Sequence, residues 1–289
     1  MADAGGTLAF DDIEIGGSIP ALPAYIPQVD GTGVPELDAH LDWPAYAVGL
    51  RRVVSPASGE IYPRWRDARA HEVLGLPEGR LAVLSGYGED PLVEAFWTRR
   101  RRDRLIERIA AQRWDLVLAC NYSIYGNWPR AEHLLNMRRS LLLAREFADA
   151  GVPVVPNLYW FRLEDLVRWA EWIADTAPPA IAVNTQTMRS AADWETWLLP
   201  GLHWLAGEIP ADLPVVITGL SRPDRIGAAV ELFSTRLTLV NQTAQAYGLH
   251  GEVMGPCGRA QVHAQTPDAF RATVRYFASL MPTRPGTAR

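Results

Sequence analysis

Short apolar runs alternate with polar loops and amphipathic stretches along most of the chain. The runs fall at residues 46–54, 81–84, 116–120, 152–155, 180–183, 215–217 and 237–240. Runs this short and this apolar are the pattern of strands buried on both faces of a parallel sheet. Between them lie segments with helical period and recognisable ends. Asp90-Pro91 opens a helix predicted over 92–113, and another over 134–150 stops at Gly151, since glycine readily adopts the left-handed C-terminal position. Over 163–175 the residues Leu166, Trp169, Ala170 and Ile173 share one face, as an amphipathic helix requires. A helix beginning at Asp193 is expected to bend or break at Pro200-Gly201, because proline removes a backbone donor and clashes with the preceding turn. Ser221 is a candidate cap with Pro223 in the first turn, and Thr266-Pro267-Asp268 starts the last helix in the same way.

Seven βα units in series predict an α/β fold. Their similar lengths favour a TIM-barrel-like or partial (β/α) barrel of mainly parallel strands, with an open doubly wound sheet as the alternative. Residues 1–45 read as an extended N-terminal arm rich in Gly, Pro and Asp, lying over the domain and frayed at its start. Residues 46–281 form the single barrel-like domain and 282–289 a flexible tail. An eighth strand is either absent or supplied by the arm. Ser85-Gly86-Tyr87-Gly88 lacks the glycine spacing of a dinucleotide fingerprint, and no cofactor is indicated.

Composition narrows the picture. The chain has 289 residues, 48% hydrophobic and 21% charged, with two cysteines and a net charge of −5. That balance gives no global attraction to nucleic acid. Cys120 and Cys257 are too few for a disulfide framework and have no metal-ligand spacing, so no metal site is expected. The first residues lack a signal-peptide pattern, and no apolar run is long enough to span a membrane, so the expected location is cytoplasmic with no membrane partner. Eleven tryptophans are many; helical spacing such as Trp169 and Trp172 reads as packing for most of them.

In parallel α/β folds, ligands bind beyond the carboxyl ends of the strands. Those positions here carry Asn121, Asn157, Asn184 and Asn241, with Gln186 and Gln242 beside the last two. An amide offers donor and acceptor without titrating, so these residues are candidates to orient a polar ligand. Singly, each asparagine reads equally well as a turn residue. Recurrence over four strands favours a shared site. Tyr87, Tyr122, Tyr125, Tyr159 and Trp160 follow the same strands and are candidate stacking residues. Proton transfer would fall to Glu89, Asp90, His250 or Glu252. Glu89 and Asp90 also suit a helix start, while His250 and Glu252 lie in a glycine-rich segment read as a mobile functional loop. A Cys257/His263 pair lacks an orienting partner.

Arg99, Arg100, Arg101 and Arg102 form a basic run. It reads either as a solvated helix face with charge pairs or as a patch for phosphate or nucleic acid. Arg189 and Arg222 lie nearer the strand ends and are candidates to hold an anionic ligand.

The segment Cys120-Asn-Tyr-Ser-Ile-Tyr-Gly-Asn-Trp-Pro129, then Asn136 and Arg138, then Val155-Pro-Asn-Leu-Tyr-Trp160 resembles the bacterial and phage family called domain of unknown function 4417. The resemblance extends over residues 81–245. Asn121 stands where that family often carries Asp before the aromatic-Ser pair. The resemblance implies association with phages or mobile elements, and it implies no reaction.

These readings lead to a barrel-like protein that binds a nucleotide, a nucleoside or another polar ligand at the strand ends, with catalysis left open. The alternatives are a nucleic-acid-binding accessory protein of a phage or mobile element, acting through the arginine run, and a non-catalytic protein-interaction scaffold. A homodimer is the generic expectation.

Overall fold

Burial on both faces turns the apolar runs into strands. The computed structural model describes residues 2–30, 34–38, 42–188, 190–262 and 264–284. The strands in chain order are β1 Tyr25–Pro27, β2 Ala45–Gly49, β3 Leu81–Ser85, β4 Leu116–Leu118, β5 Val154–Val155, β6 Asn157–Leu158, β7 Ile181–Asn184, β8 Val215–Thr218 and β9 Leu237–Asn241. A hairpin, β10 Glu252–Gly255 and β11 Gly258–Gln261, follows them. The helices are α1 Val34–Leu37, α2 Ala70–Leu74, α3 Asp90–Arg99, α4 Leu105–Ala111, α5 Arg130–Asp149, α6 Leu163–Thr176, α7 Ala191–Asp193, α8 Leu199–Glu208, α9 Pro223–Phe233, α10 Thr243–Leu249 and α11 Thr266–Ser279.

The fold is α/β with two parallel sheets. One sheet has the order β1-β9-β8-β7-β6 and the other β2-β3-β4-β5. Regular pairing gives two ladders, and it does not run unbroken from one sheet into the other. Two features join them. Val29 N donates to Ala47 O at 2.7 Å, beside an isolated parallel bridge between Gln28 and Ala47. On the other side, β5 and β6 are consecutive stretches of one chain direction separated by Pro156, which has no N–H for a ladder.

Side chains alternate between two cores. Tyr46, Val48, Leu84, Val117, Val183, Ile217 and Leu239 pack with the helices. Ala45, Ala47, Val83, Leu118, Val155, Ala182, Val216 and Val240, drawn from both sheets, share a second apolar cluster with Ile26 and Tyr87. The second cluster defines an inward face common to the two sheets.

The segment read as an arm does two jobs. Its residues 25–27 are β1, paired parallel with β9 through Tyr25↔Leu239 and Ile26↔Val240. The earlier part packs on α5 and α6. Phe10 stacks on Trp169 at 4.9 Å, Ile13 and Ile15 are buried, and Trp172 donates to Ile13 O at 2.8 Å. Near the start, Ala4 is buried, and Arg138 Nε donates to its carbonyl at 2.6 Å. At the other end, Arg284 donates to Thr238 Oγ1 at 3.1 Å and to Leu22 O, so residues read as tail reach the sheet. Residues 285–289 lie outside the described residues.

Several boundaries differ from the sequence reading for local reasons. The helix expected over 92–113 is two helices, α3 and α4, because Arg104 adopts a left-handed φ of 51° between them. The run 46–54 leaves the sheet at Gly49 and continues as a 3₁₀ turn, Leu50–Arg52. Ser221 is not the cap of α9; Arg222 occupies that position with no side-chain cap. Pro200 does not interrupt its helix, since it sits in the first turn of α8 after a π turn at Trp194–Leu198. Gly201 is there for packing: a Cβ would come 2.5 Å from Trp160 Nε1.

The arm's ion pair responds to pH. The Arg138 guanidinium holds the Asp12 carboxyl below the ordinary aspartate range. A depressed folded-state pKa contributes stability that is present above the ordinary value of about 4 and is lost as pH falls through the lowered one. Proteolysis by pepsin at stepped pH should therefore cut within residues 5–20 progressively faster below about pH 4. Arg138→Met should be cut equally fast across that range.

Candidate functional site

The chain carries its polar strand ends to one side of both sheets, and alternation decides which way each points. Asn157 lies two residues after inward Val155, and Asn184 two after inward Ala182. Both are buried, as is Thr218 at the end of β8. Tyr87 crosses the inward face above β3 and donates to Asn157 Oδ1 at 3.1 Å, with the Thr218 hydroxyl and the Cys120 thiol close by. Thr218 Oγ1 donates to Asn184 Oδ1 at 3.3 Å, Gln186 N donates to the same oxygen at 2.9 Å, and Asn184 Nδ2 donates to Asn121 Oδ1 at 3.3 Å. Asn121, Asn157 and Asn184 thus join one network.

Asn241 does not belong to it. It follows inward Val240 by one residue and so faces the other way. Its oxygen accepts from Tyr25 OH at 3.0 Å and Thr243 N at 3.1 Å, and its nitrogen donates to Leu220 O at 2.8 Å. Its role is to fasten β9 to β1 and to the start of α10.

A second inward cluster escaped the sequence reading. Asp30, two residues beyond Gln28, accepts Gly49 N at 2.7 Å on Oδ1 and Gln28 Nε2 at 3.2 Å on Oδ2. Its own N–H donates to Gln245 Oε1 at 2.8 Å, which also accepts from Gln242 Nε2 at 3.2 Å. Asp30 and Gln28 are each 6% exposed. The available signal was an acid four positions past Ile26, the inward residue of β1; a three-residue strand in a Gly/Pro-rich stretch is too short to display its period.

On the rim, Ser123 Oγ donates to Asp90 Oδ1 at 2.6 Å, and the Tyr125 hydroxyl donates to Oδ2. Donating to a carboxylate raises the cost of ionising Tyr125, whose pKa is lifted. The loop is held from below by α5: Asn136 Nδ2 donates to Ser123 O at 2.8 Å, and His133 Nε2 bonds Tyr125 O at 2.8 Å. Glu89 is exposed at the rim and pairs with Arg51 at 3.2 Å.

The remaining aromatic candidates divide. Tyr125 is 43% exposed, edge-on to Trp128, and Tyr159 is half-buried against Trp197. Tyr122 and Trp160 are not platforms. Tyr122 is buried in the outer core beneath Arg139 and Trp97, and Trp160 is buried in a stack on Trp197. Large rings on the outward side of a strand end are needed to fill the gap between helix and sheet.

His250 and Glu252 are moved away from the network. The segment read as a mobile loop is the end of α10 and the β10–β11 hairpin, whose Met254 N donates to Thr273 Oγ1 of α11 at 3.1 Å. Glu252 pairs across the hairpin with Arg259 at 2.6 Å. Cys257 is exposed at the hairpin turn; its proposed companion His263, like Arg189, lies outside the described residues.

The basic run is occupied by acids. Arg99 and Arg102 both bond Asp103, whose carboxyl is held down to about 2 by them. Arg100, buried over the Trp97 ring at 3.3 Å, pairs with Glu146 at 2.8 Å, and Arg101 reaches the same carboxylate at 3.4 Å. Arg222 pairs with Asp224 at 2.8 Å. These contacts follow the charge-pair reading of the helix face. Two surface clefts lie in the same helical layer, one at Trp65, Arg66 and Arg108 and one at Arg101, Glu107 and Glu146, away from the strand ends.

Chemically, the inner network is neutral apart from Asp30. Burial pushes the Cys120 thiol up to about 12 and the Tyr87 phenol well above its ordinary value, so both remain protonated near neutral pH. Neither is a nucleophile or base there. Among the described residues, no three His, Cys, Asp or Glu side chains gather to hold a metal ion, and no helix is long and apolar enough to cross a membrane. Comparison with protein-family models and with curated protein sequences gives no match.

Proposed function

We propose that this chain binds a small polar ligand of the nucleoside or nucleotide class over the carboxyl ends of its parallel strands. One observation carries the reading. The buried inward positions at those ends are polar, and two of their atoms, Asn157 Nδ2 and Ser85 Oγ, have no partner among the described residues. Buried polar groups are normally bonded, and a ligand reaching in from the rim would satisfy them. Asn121, Asn184, Gln186 and Gln242 would orient it, with Tyr125 and Tyr159 flanking. Any proton transfer would fall to Asp30 or to Asp90 with its two hydroxyl partners.

Two further readings belong with it. The two sheets are read as a TIM-barrel-like or partial (β/α) barrel, with β5 and β6 counted as one strand. The Gln28–Ala47 bridge and the inward cluster shared by both sheets support that reading. Kinship with domain of unknown function 4417 rests on residues 120–129 and 155–160, which here supply the Asp90-bound Ser123 and Tyr125 and the network's Asn157.

The test is a thermal-shift and calorimetric screen of nucleosides, nucleotides and simple sugars against the full chain. Asn184→Ala removes the amide that links Thr218, Gln186 and Asn121. It is expected to weaken any hit about tenfold or more, the scale of a lost ligand hydrogen bond with its partners stranded. Circular dichroism should remain unchanged. Undiminished binding by a folded Asn184→Ala protein would sink the shared site.

A further inference from the structure

Asp30 is a buried carboxylate surrounded by neutral donors. A carboxylate has about four acceptor positions on its two oxygens. Here Oδ1 takes Gly49 N and Oδ2 takes Gln28 Nε2, and no ion pair to Asp30 is formed among the described residues. Among the described residues, each oxygen therefore keeps one acceptor position open. Leaving an ionised carboxylate in that state is costly unless something complementary approaches.

The carboxylate packs closely on the β2 backbone. Gly49 lies beneath the carboxylate, and a Cβ there would sit 3.0 Å from Oδ2 and 3.2 Å from Oδ1. Any side chain at Gly49 would press on the carboxylate. Across the β2–β3 ladder Gly49 pairs with Ser85, which follows inward Val83 by two residues and is fully buried. Its hydroxyl has no partner. One inward arc thus holds a carboxylate with two open positions, set close over a glycine, and a hydroxyl unpartnered among the described residues. Further along lies Tyr87, bonded to Asn157, whose Nδ2 is also unpartnered.

We infer that Asp30 and Ser85 anchor a planar N–C–N edge carrying two N–H donors, as found on a guanine-type base or a guanidinium group. This rests on the strand-end reading above and names the ligand chemistry within it. Two parallel N–H groups match the one open position on each carboxylate oxygen, the bidentate geometry that carboxylates favour. The Ser85 hydroxyl gives or takes one further bond at the edge. A base would add a ring carbonyl that can accept from Asn157 Nδ2, which a guanidinium lacks.

Calorimetry on the full chain separates these sources. Guanosine is compared with inosine, which lacks the 2-amino group, and agmatine with cadaverine, which lacks the planar edge. The member of a pair with two N–H donors on the edge should bind at least about tenfold more tightly, the scale of one charge-assisted hydrogen bond. Binding of guanosine with agmatine silent identifies a base, and the reverse identifies a guanidinium; either supports the anchor. Asp30→Asn should weaken the preferred ligand by a similar or larger factor, and Ser85→Ala by less. The ligand pairs decide the matter on the unaltered protein should Asp30→Asn fail to fold. Equal binding within both pairs, or binding of uridine or adenosine with silence from guanosine and agmatine, overturns the anchor while the strand-end site stands. Silence from all of these and from the wider screen overturns both.

Discussion

Asp165→Ala should be among the most destabilising single changes in this chain, at about 3–5 kcal/mol. The carboxylate is fully buried at the first turn of α6. Its Oδ2 accepts Phe161 N at 2.9 Å and Arg162 N at 3.0 Å, and Arg130, at the start of α5, lies against Oδ1. Removing it strands two backbone donors and a half-buried guanidinium at once. For a chain of this length that loss lowers Tm by roughly 6–12 °C, measurable by calorimetry. Asp165→Asn keeps an acceptor for the two N–H groups and loses only the ion pair, so it should fall between wild type and alanine. The effect should reach the rim as well. Gly126 lies so close to Phe161 that a Cβ there would touch the ring at 2.8 Å, so loosening Phe161 frees the Ser123–Tyr125 loop. An alanine variant with unchanged Tm would show that the cluster carries no such strength.

Arg138→Ala should release the N-terminal segment, at a cost of about 3 kcal/mol. The guanidinium is 3% exposed at its side chain. It donates to the Ala4 and Ala9 carbonyls and grips both oxygens of Asp12. Most of the cost comes from the orphaned carbonyls, because Asp12 is half exposed and water screens its share. Thermolysin under native conditions would read the release as new cleavage near Phe10. Protection equal to wild type would mean that the Phe10–Trp169 stack and Ile13 hold the segment without the arginine.

Both predictions concern groups that the sequence presented as ordinary. Asp165 looks like a first-turn acid favourable to the helix dipole. Only the fold buries it and brings Arg130 from 35 positions earlier. Arg138 looks like one more charge on a helix face until the arm folds over it. In the candidate site, the asparagines at 121, 157 and 184 were legible because chemistry recurring at strand ends is a one-dimensional pattern. Asp30 was not, because its strand is three residues long and its neighbours Gly49 and Gln245 are distant in sequence.

The sequence by itself determined the α/β alternation, the places of most strands and helices, and the polar character of the strand ends. These are local properties: apolar period, capping residues and glycine or proline at boundaries act over a few residues. The tertiary structure decided direction and partnership. Asn184 faces inward and Asn241 outward because each is one step of a two-residue repeat relative to a particular core. Arg100 is buried in an ion pair because Glu146 is carried to it from α5, whereas the pairs of Arg99 and Arg102 with Asp103 are local. The segment 248–261 is a hairpin on α11 because that helix offers Thr273 and an apolar face for it. Burial, ion pairing and which way a strand end points depend on what arrives from elsewhere in the chain, and short-range pattern carries no record of that.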